Sequence, residues 1–302
     1  MKKFYSNGKL LLTGEYVVLD GAKALAIPTK YGQSLSIAET DTNHIKWQSL
    51  DHKGNVWFKS DLLLNTDRFL ATSQKDETTQ TLVKLLSEAN KLNPSFLAGT
   101  KGLKVTSKLD FPRNWGLGSS STLINNIAQW AGVDAYQLLW NAFSGSGYDI
   151  ACAQHDHPII YQLKDKMPHV EKTLFDPTFK DRLYFVHLNE KQNSREGIAH
   201  YRKAKALLAP FIQQIDEVTE QFIKSRSLND LKMAIELHER LIADLVKLPT
   251  VKERLFPDYF GSIKSLGAWG GDFVLATGDE TTTNYFKEKG FHTVIPYKDM
   301  VL

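Results

Sequence analysis

The sequence is poor in several features that mark whole classes of protein. It has a single cysteine, Cys152, so no intramolecular disulfide can form, and a reducing compartment is expected. Its longest apolar runs, such as residues 10–12 and 16–19, fall far short of the roughly 20 residues that span a bilayer. The first six residues lack the apolar stretch of a secretory signal. We therefore expect a cytoplasmic protein with no membrane role.

Excess charge of one sign is also small. The chain of 302 residues has 37 Lys and Arg against 34 Asp and Glu, a formal charge of +3, and these charges are dispersed, so no nucleic-acid partner is expected. Hydrophobic residues at 42% and charged residues at 24% exclude collagen-like, disulfide-scaffold and wholly disordered chains. This length fits two domains or one large one.

The apolar pattern predicts a mixture of strands and helices. Residues 31–60 contain three short β-rich runs with turn residues between them, which predicts an antiparallel meander. Leu82, Leu85, Leu86 and Ala89 share one face of a helix over 78–90. The other predicted elements are strands at 103–109, 273–276 and 293–295 and helices at 136–143, 148–154, 194–208, 211–225, 228–246 and 281–289. Longer helices follow residue 164, so we predict domains 1–165 and 166–302.

A loop of glycine and hydroxyl residues runs from Gly116 to Thr122 into an apolar helix. Glycines let the backbone approach a ligand, and the N–H groups of a helix start can bind one anion, so the loop suits a phosphate. A serine that caps an ordinary helix explains the same residues about equally well. The loop lacks the Gly-Lys-Ser or Gly-Lys-Thr of a Walker A motif and the third glycine of a dinucleotide fingerprint.

Two ionisable residues are further candidates for chemistry. Lys9 could offset phosphate charge, although a lysine at such a position is usually a solvated side chain. Asp149 follows a glycine turn and precedes an apolar helix. It could stabilise that helix electrostatically or act on an acceptor hydroxyl.

The remaining candidates come from charged and hydroxyl residues outside these loops. His155 and His157 resemble a metal pair, but the i, i+2 spacing before a proline favours a surface turn. Arg113 and Arg195 are candidates for holding a phosphate or carboxylate in a bidentate manner. Ser194 is interpreted as a helix cap.

Four motifs occur in a fixed order along almost the whole chain. They are Gly-Lys-x-x-x-x-Gly-Glu-Tyr from Gly8, Pro-x-x-x-Gly-Leu-Gly-Ser-Ser from Pro112, Gly-Ser-Gly-Tyr-Asp from Gly145 and Lys-x-x-Gly-Ala-x-Gly-Gly-Asp from Lys264. Together they resemble the GHMP small-molecule kinases, and their details are most similar to the phosphomevalonate kinase and mevalonate kinase branches. The resemblance implies an α+β fold with a ribosomal protein S5 domain 2-like N-terminal domain, a ferredoxin-like C-terminal domain and an active site in the cleft between them.

The resemblance also implies roles for individual residues. Lys9 and Asp149 would be catalytic, Lys9 beside the transferred phosphoryl group and Asp149 on the acceptor hydroxyl. Ser120 would reach Mg²⁺. The implied ATP-binding residues are Pro112, Gly116, Leu117, Gly118, Ser119, Ser120 and Ser121. The implied acceptor-site residues are Glu15, Ser146, Gly147, Ser194, Arg195, Gly267, Ala268, Gly270, Gly271 and Asp272, with Glu15 in a supporting shell.

The expected activity is ATP- and Mg²⁺-dependent phosphorylation of a small alcohol that carries a phosphate or carboxylate, with phosphomevalonate first, by a monomer or homodimer. Mevalonate and sugars are the alternative acceptors. Two departures from the family pattern favour a different class, a non-catalytic ligand-binding protein of this fold. Trp269 stands where the family has glycine, and Leu138 stands where mevalonate kinases have an acidic Mg²⁺ ligand.

Overall fold

The computed structural model describes residues 1–65, 68–71, 76–189, 201–202, 208–267 and 271–302. These residues form two compact units that each combine distant parts of the chain. The first unit comprises residues 1–8, 31–113 and 117–154, and the second comprises 9–30, 114–116 and 155–302. The predicted α+β class is confirmed. No helix within the described ranges has the length and apolar character to cross a bilayer.

The first unit is a sheet with helices packed on one face. Its elements are the first part of β1 (Lys2–Leu11), the second part of β2 (Ala24–Thr40), β3 (His44–Leu50), β4 (Val56–Asn65), β5 (Arg68–Ala71), α1 (Glu77–Leu92), β6 (Gly102–Leu109), α2 (Ser119–Ala131), α3 (Ala135–Ala142) and α4 (Tyr148–Gln154). A core of buried side chains from β2, β3, β6 and the helices joins the two layers. Helix α1 begins at the Asp76 cap and buries Leu82, Leu85, Leu86 and Ala89, which confirms the predicted face.

The predicted meander is wrong in its strand order. Strands β3 and β4 do form an antiparallel hairpin around the predicted break at Gly54, but β2 does not pair with β3. Strand β6 lies between them, parallel to β3 and antiparallel to β2. Alternation of apolar and polar residues specifies which face of a strand is buried and says nothing of which strand lies beside it. The position of β6 between β2 and β3 could therefore not be predicted from this alternation.

The second unit contains a smaller sheet of order β10-β11-β9-β12. Its elements are β7 (Ile159–Lys164), β8 (Met167–Lys172), β9 (Leu183–His187), α5 (Leu208–Lys224), α6 (Leu228–Val246), α7 (Val251–Leu255), β10 (Ile263–Ser265), β11 (Phe273–Thr277), α8 (Thr282–Glu288), β12 (Val294–Pro296) and α9 (Tyr297–Met300). The start of β2 also belongs to this unit and pairs with β7. The predicted helices at 211–225, 228–246 and 281–289 are confirmed to within a few residues.

The predicted domain boundary falls inside a β-hairpin. Strands β7 and β8 are joined by Asp165 and Lys166, which both have positive φ, as in the two-residue turns that connect tight hairpins. The compact units divide the chain at several places instead of one. A functional division into domains 1–165 and 166–302 stays a prediction.

Candidate active site

The glycine loop ends in a helix start that suits an anion. Gly118 is the N-cap of α2 with a φ of 92°, a left-handed conformation that favours glycine, and no side chain caps the helix. The first turn carries no acidic residue. The hydroxyls of Ser121 and Thr122 donate to the Gly118 carbonyl, whereas the Ser120 side chain is exposed. The helix dipole and the uncapped N–H groups therefore favour a negatively charged ligand here.

Buried polar side chains fix the position of α2 in the first unit. Asn126 donates to the Gln33 carbonyl and accepts a hydrogen bond from the Ser6 hydroxyl, and Asn125 donates to the same hydroxyl. The Thr122 hydroxyl also lies 2.7 Å from the side-chain oxygen of Gln33. These residues hold the helix start to β1 and β2. Sequence reasoning missed them, although two asparagines within an apolar helix are a visible signal.

Asp149 lies in the first turn of α4, after the left-handed Gly147. One of its carboxylate oxygens accepts a hydrogen bond from the N–H of Ile150 at 3.1 Å, and its side chain is half-buried. Ser146, two residues before α4, is buried. Leu138, where mevalonate kinases carry an acid, is completely buried in α3. The described part of the first unit therefore offers Asp149 and no carboxylate at position 138.

In the second unit, Lys9 lies beside Gly267 of the fourth motif. Gly267 has a φ of 69°, and a Cβ added to it would be 4.0 Å from the Lys9 ammonium. Gly14, in the first motif, has a φ of 84° and donates its N–H to the imidazole Nε2 of His238 at 3.0 Å. The first and last motifs of the sequence thus meet within one compact unit.

Glu15 is completely buried and forms an ion pair with Lys264. The Lys264 ammonium lies 2.6 Å from Glu15 Oε1 and 3.2 Å from Glu239 Oε1, and it also donates to the Ser265 carbonyl. Glu15 Oε2 lies 3.3 Å from His238 Nε2. We call Glu15, His238, Glu239 and Lys264 the buried charge cluster. This burial fits the supporting role implied for Glu15, and a direct contact with the acceptor stays a prediction.

Burial governs the protonation of this cluster. Desolvation raises the pKa of Glu15 and raises that of Glu239 to about 7, against the opposing attraction of Lys264. Burial and the nearby ammonium hold the pKa of His238 well below its usual range, so the imidazole is neutral. Sequence reasoning missed Glu239 and His238, which give no signal beyond their place on the apolar face of α6.

Asp272 packs directly on the second glycine motif. Its backbone is left-handed with a φ of 51°, and its carbonyl accepts the N–H of Leu188 at 2.8 Å. A Cβ added to Gly116, whose φ is 64°, would lie 2.0 Å from Asp272 Oδ2. Both the conformation and the close approach therefore require glycine at position 116.

We expect Gly116→Ala to destabilise the protein by about 1–3 kcal/mol, because the methyl group meets a carboxylate and alanine disfavours positive φ. Gly132→Ala is the matched control, since Gly132 has nearly the same φ of 65° but its nearest neighbour to a new Cβ is 3.9 Å away. The measurement is urea unfolding of both variants. Equal destabilisation of the two would show that conformation alone, and no contact with Asp272, constrains Gly116.

A histidine at the end of β9 contacts the segment before Gly116. The His187 ring makes a 3.1 Å hydrogen bond with the Asn114 carbonyl, and the Asn189 N–H donates to its Nδ1. Since Nδ1 accepts, Nε2 is the donor to that carbonyl. Trp115 packs edge-on against Phe273 at 5.5 Å between ring centroids. These contacts were not predicted from the sequence.

The other predicted site residues are distributed as follows. Ser194, Arg195, Ala268 and Gly270, like Trp269, lie outside the described residues. Arg113 stacks over the Trp57 ring at 3.7 Å. His155 and His157 lie in the bend after α4, and the described residues contain no cluster of three or more His, Cys, Asp or Glu side chains that could hold a metal.

Comparison with known proteins gives matches in structure alone. No protein-family profile and no curated protein sequence matches the chain. The Lin0012 protein of Listeria innocua is 16% identical with a TM-score of 0.71, covering 97% of this chain and 96% of that one. Phosphomevalonate kinase of Streptococcus pneumoniae, solved with phosphomevalonate and AMPPNP, is 18% identical with a TM-score of 0.68 and 96% coverage of both. Mevalonate kinase of Methanococcus jannaschii is 15% identical with a TM-score of 0.66, covering 97% and 96%.

These similarities extend over nearly the full length of each chain. The fold of this protein is therefore that of the GHMP kinases, which confirms the predicted fold. At these identities the likeness defines the fold and leaves activity and substrate to be proposed.

Proposed function

We propose that this protein is an ATP- and Mg²⁺-dependent phosphotransferase of the GHMP type, with phosphomevalonate as the first candidate acceptor. The observation that carries the proposal is the start of α2, where a left-handed Gly118, an uncapped first turn and an exposed Ser120 follow one another. Phosphoryl transfer needs positioning and charge stabilisation more than covalent help from the protein. An anion-binding helix start, one lysine and one carboxylate can supply both.

The proposed roles follow the motifs. The N–H groups of the second motif bind the ATP phosphates, Lys9 stabilises charge on the transferred phosphoryl group, and Asp149 accepts the proton of the acceptor hydroxyl. Gly267 and Asp272 shape the lysine's surroundings. The further residues proposed to serve these roles are Pro112, Gly116, Leu117, Ser119 and Ser121 for ATP and Ser146, Gly147, Ser194, Arg195, Ala268, Gly270 and Gly271 for the acceptor, with Glu15 in a supporting position.

The residues present fit a magnesium ion that is held mainly by nucleotide. Mg²⁺ usually keeps several waters and binds through one or two protein oxygens plus substrate phosphates. The exposed Ser120 hydroxyl on the first turn of α2 can be such an oxygen. The metal would neutralise phosphate charge as the group is transferred. Leu138 supplies no second ligand.

The motifs constrain the phosphate donor more closely than the acceptor. Solved neighbours named for phosphomevalonate and mevalonate share the fold, which supports an acceptor that carries a phosphate or carboxylate beside its hydroxyl. Mevalonate or a sugar is the alternative. A second candidate function, ligand binding without catalysis, is favoured by the buried leucine at position 138.

A coupled ADP-release assay with MgATP across phosphomevalonate, mevalonate, homoserine and several sugars tests the proposal. We expect turnover on phosphomevalonate. Turnover on another compound alone would keep the kinase activity and replace the acceptor. ATP binding by calorimetry, with no ADP release beyond the acceptor-free rate on any compound, would favour the non-catalytic function.

A further inference from the structure

The buried charge cluster joins three separate parts of the second unit. Glu15 follows β1, Lys264 lies in β10, and His238 and Glu239 lie side by side on α6. The side chains of Glu15, His238 and Lys264 have no exposed surface, and that of Glu239 is 4% exposed. Burying charges at this depth costs several kcal/mol per ion unless they are paired and hydrogen-bonded. Such an arrangement is therefore a constraint on the backbone that carries it.

The Lys264 ammonium uses all three of its donors inside the cluster. They reach Glu15 Oε1 at 2.6 Å, Ser265 O at 2.5 Å and Glu239 Oε1 at 3.2 Å. Glu239 in turn accepts the backbone N–H and the hydroxyl of Ser265 at 3.0 and 2.9 Å. Glu239 therefore links helix α6 to β10 by hydrogen bonds. The ion pair of Lys264 with Glu15 links β10 to the segment that follows β1.

Strand β10 and the segment around the end of β1 both lie next to residues of the proposed site. Lys9 lies six residues before Glu15, and Gly267 lies three residues after Lys264. A Cβ on Gly267 would be 4.0 Å from the Lys9 ammonium, so the two segments approach each other at that point. The segment between Lys9 and Glu15 is itself anchored, since the Leu12 N–H donates to the Leu25 carbonyl at 2.8 Å. A shift of β10 against this anchored segment would change the surroundings of Lys9.

We propose that Glu15 and Lys264 are positioning residues that hold Gly267, in the fourth motif, against Lys9. Neither contacts the reacting groups in this assignment. The pair sets the place of Gly267 relative to the Lys9 ammonium, and Glu239 holds β10 to α6. The kinetic part of this inference rests on the proposed kinase function, whereas the position of Lys9 can be followed without any substrate.

Two substitutions distinguish the effect of breaking the Glu15–Lys264 link from the effect of removing one negative charge from the buried charge cluster. Glu15→Leu and Glu239→Gln each remove one carboxylate and leave Lys264 with one carboxylate partner, but only Glu15→Leu cuts the link to the segment of Lys9. The first measurement is acylation of lysines by a water-soluble anhydride, read by mass spectrometry as the ratio of Lys9 to the exposed Lys2. The second is kcat and KM for MgATP on whichever acceptor is turned over.

We expect Glu15→Leu to change the Lys9 labelling ratio on the order of tenfold, as for an ammonium whose fixed surroundings are altered. In the same variant kcat should fall about 100-fold with KM for MgATP nearly constant, because small misplacements of a catalytic group cost about that much. Glu239→Gln should keep the wild-type labelling ratio. Glu15→Gln retains an acceptor oxygen for Lys264. In this variant both the change in the Lys9 labelling ratio and the fall in kcat should be smaller than in Glu15→Leu.

A folded Glu15→Leu protein with the wild-type Lys9 labelling ratio would overturn the inference, whatever its activity. If Glu15→Leu does not fold, the double variant Lys264→Met, Glu239→Gln cuts the same link and leaves a single carboxyl that protonation can neutralise. The same labelling criterion then decides. Altered labelling in a protein that turns over no acceptor would keep the positioning role and reject the kinase function, so the two failures are distinguishable.

Discussion

Methionine in place of Lys9 and asparagine in place of Asp149 are each expected to lower kcat by about 10³-fold, the usual loss for one electrostatic or acid–base group. Methionine keeps most of the lysine's length and removes its charge, and asparagine keeps the shape of Asp149 while it loses the ability to accept a proton. Steady-state ADP release on the acceptor identified by the panel gives the measurement. The affinity for MgATP should change by no more than about threefold, since neither residue belongs to the uncapped helix start.

The reason for separating kcat from ATP affinity lies in where these residues sit. Neither side chain supplies an N–H group of the first turn of α2, so the loss of either one leaves the helix dipole and those N–H groups unchanged. Lys46→Met and Asp156→Asn are suitable controls, because both side chains are exposed. Full activity in the Lys9 and Asp149 variants would reject the proposed mechanism. A large loss of ATP affinity in either one would reassign that residue to nucleotide binding.

Local features of the sequence predicted the parts of the site that depend on local structure. The start of α2 follows from glycines and serines that are adjacent in the chain, and α4 begins at Tyr148 as expected. Likewise, the apolar face of α1 follows from a repeat within one helix. Each of these is decided by residues a few positions apart, for which backbone conformation and side-chain periodicity are sufficient guides.

The parts that the sequence could not predict depend on residues far apart in the chain. Glu15 and Lys264 are separated by 249 positions. Glu239 is separated by 26 positions from Ser265, whose N–H donates a hydrogen bond to it. No periodicity relates such positions, and a lysine in a short apolar strand can equally well point to solvent. The position of β6 between β2 and β3 was not predicted for the same reason, because no local sequence pattern shows which distant strands pair.

Proton binding by the buried charge cluster leads to a second large effect, on stability as a function of pH. We expect the free energy of unfolding of the Glu239→Gln variant, minus that of the wild type, to increase by about 3 kcal/mol from pH 4.5 to pH 8. The estimate takes the rise in the pKa of Glu239 from 4.5 to about 7 at about 1.4 kcal/mol per unit. Urea unfolding followed by tryptophan fluorescence at a series of pH values is the measurement.

The sign follows from proton counting. Below pH 4.5 the carboxyl is protonated in both the folded and the unfolded chain, so pH has no effect through this group. Between pH 4.5 and about 7 the unfolded chain ionises while the folded cluster keeps its proton, so rising pH favours unfolding of the wild type. Above that range both states are ionised and the difference is constant. A glutamine at 239 binds no proton and lacks this loss.

The comparison of two proteins is needed because His238 acts in the opposite direction. Its pKa is lowered by burial, so the unfolded chain binds a proton at this imidazole as pH falls below its ordinary value of 6.5, and the folded chain does not. That contribution makes the wild type more stable as pH rises and masks the slope from Glu239, but it is present in both proteins and cancels in the difference. The two buried carboxyl groups together hold one proton in the folded chain over this pH range. The expected difference is the same whether Glu15 or Glu239 binds it, because the cluster needs no proton once one carboxylate has been removed. Parallel pH profiles for the two proteins would mean that both carboxylates are ionised in the folded chain, and the cluster would then carry a net negative charge in the protein interior.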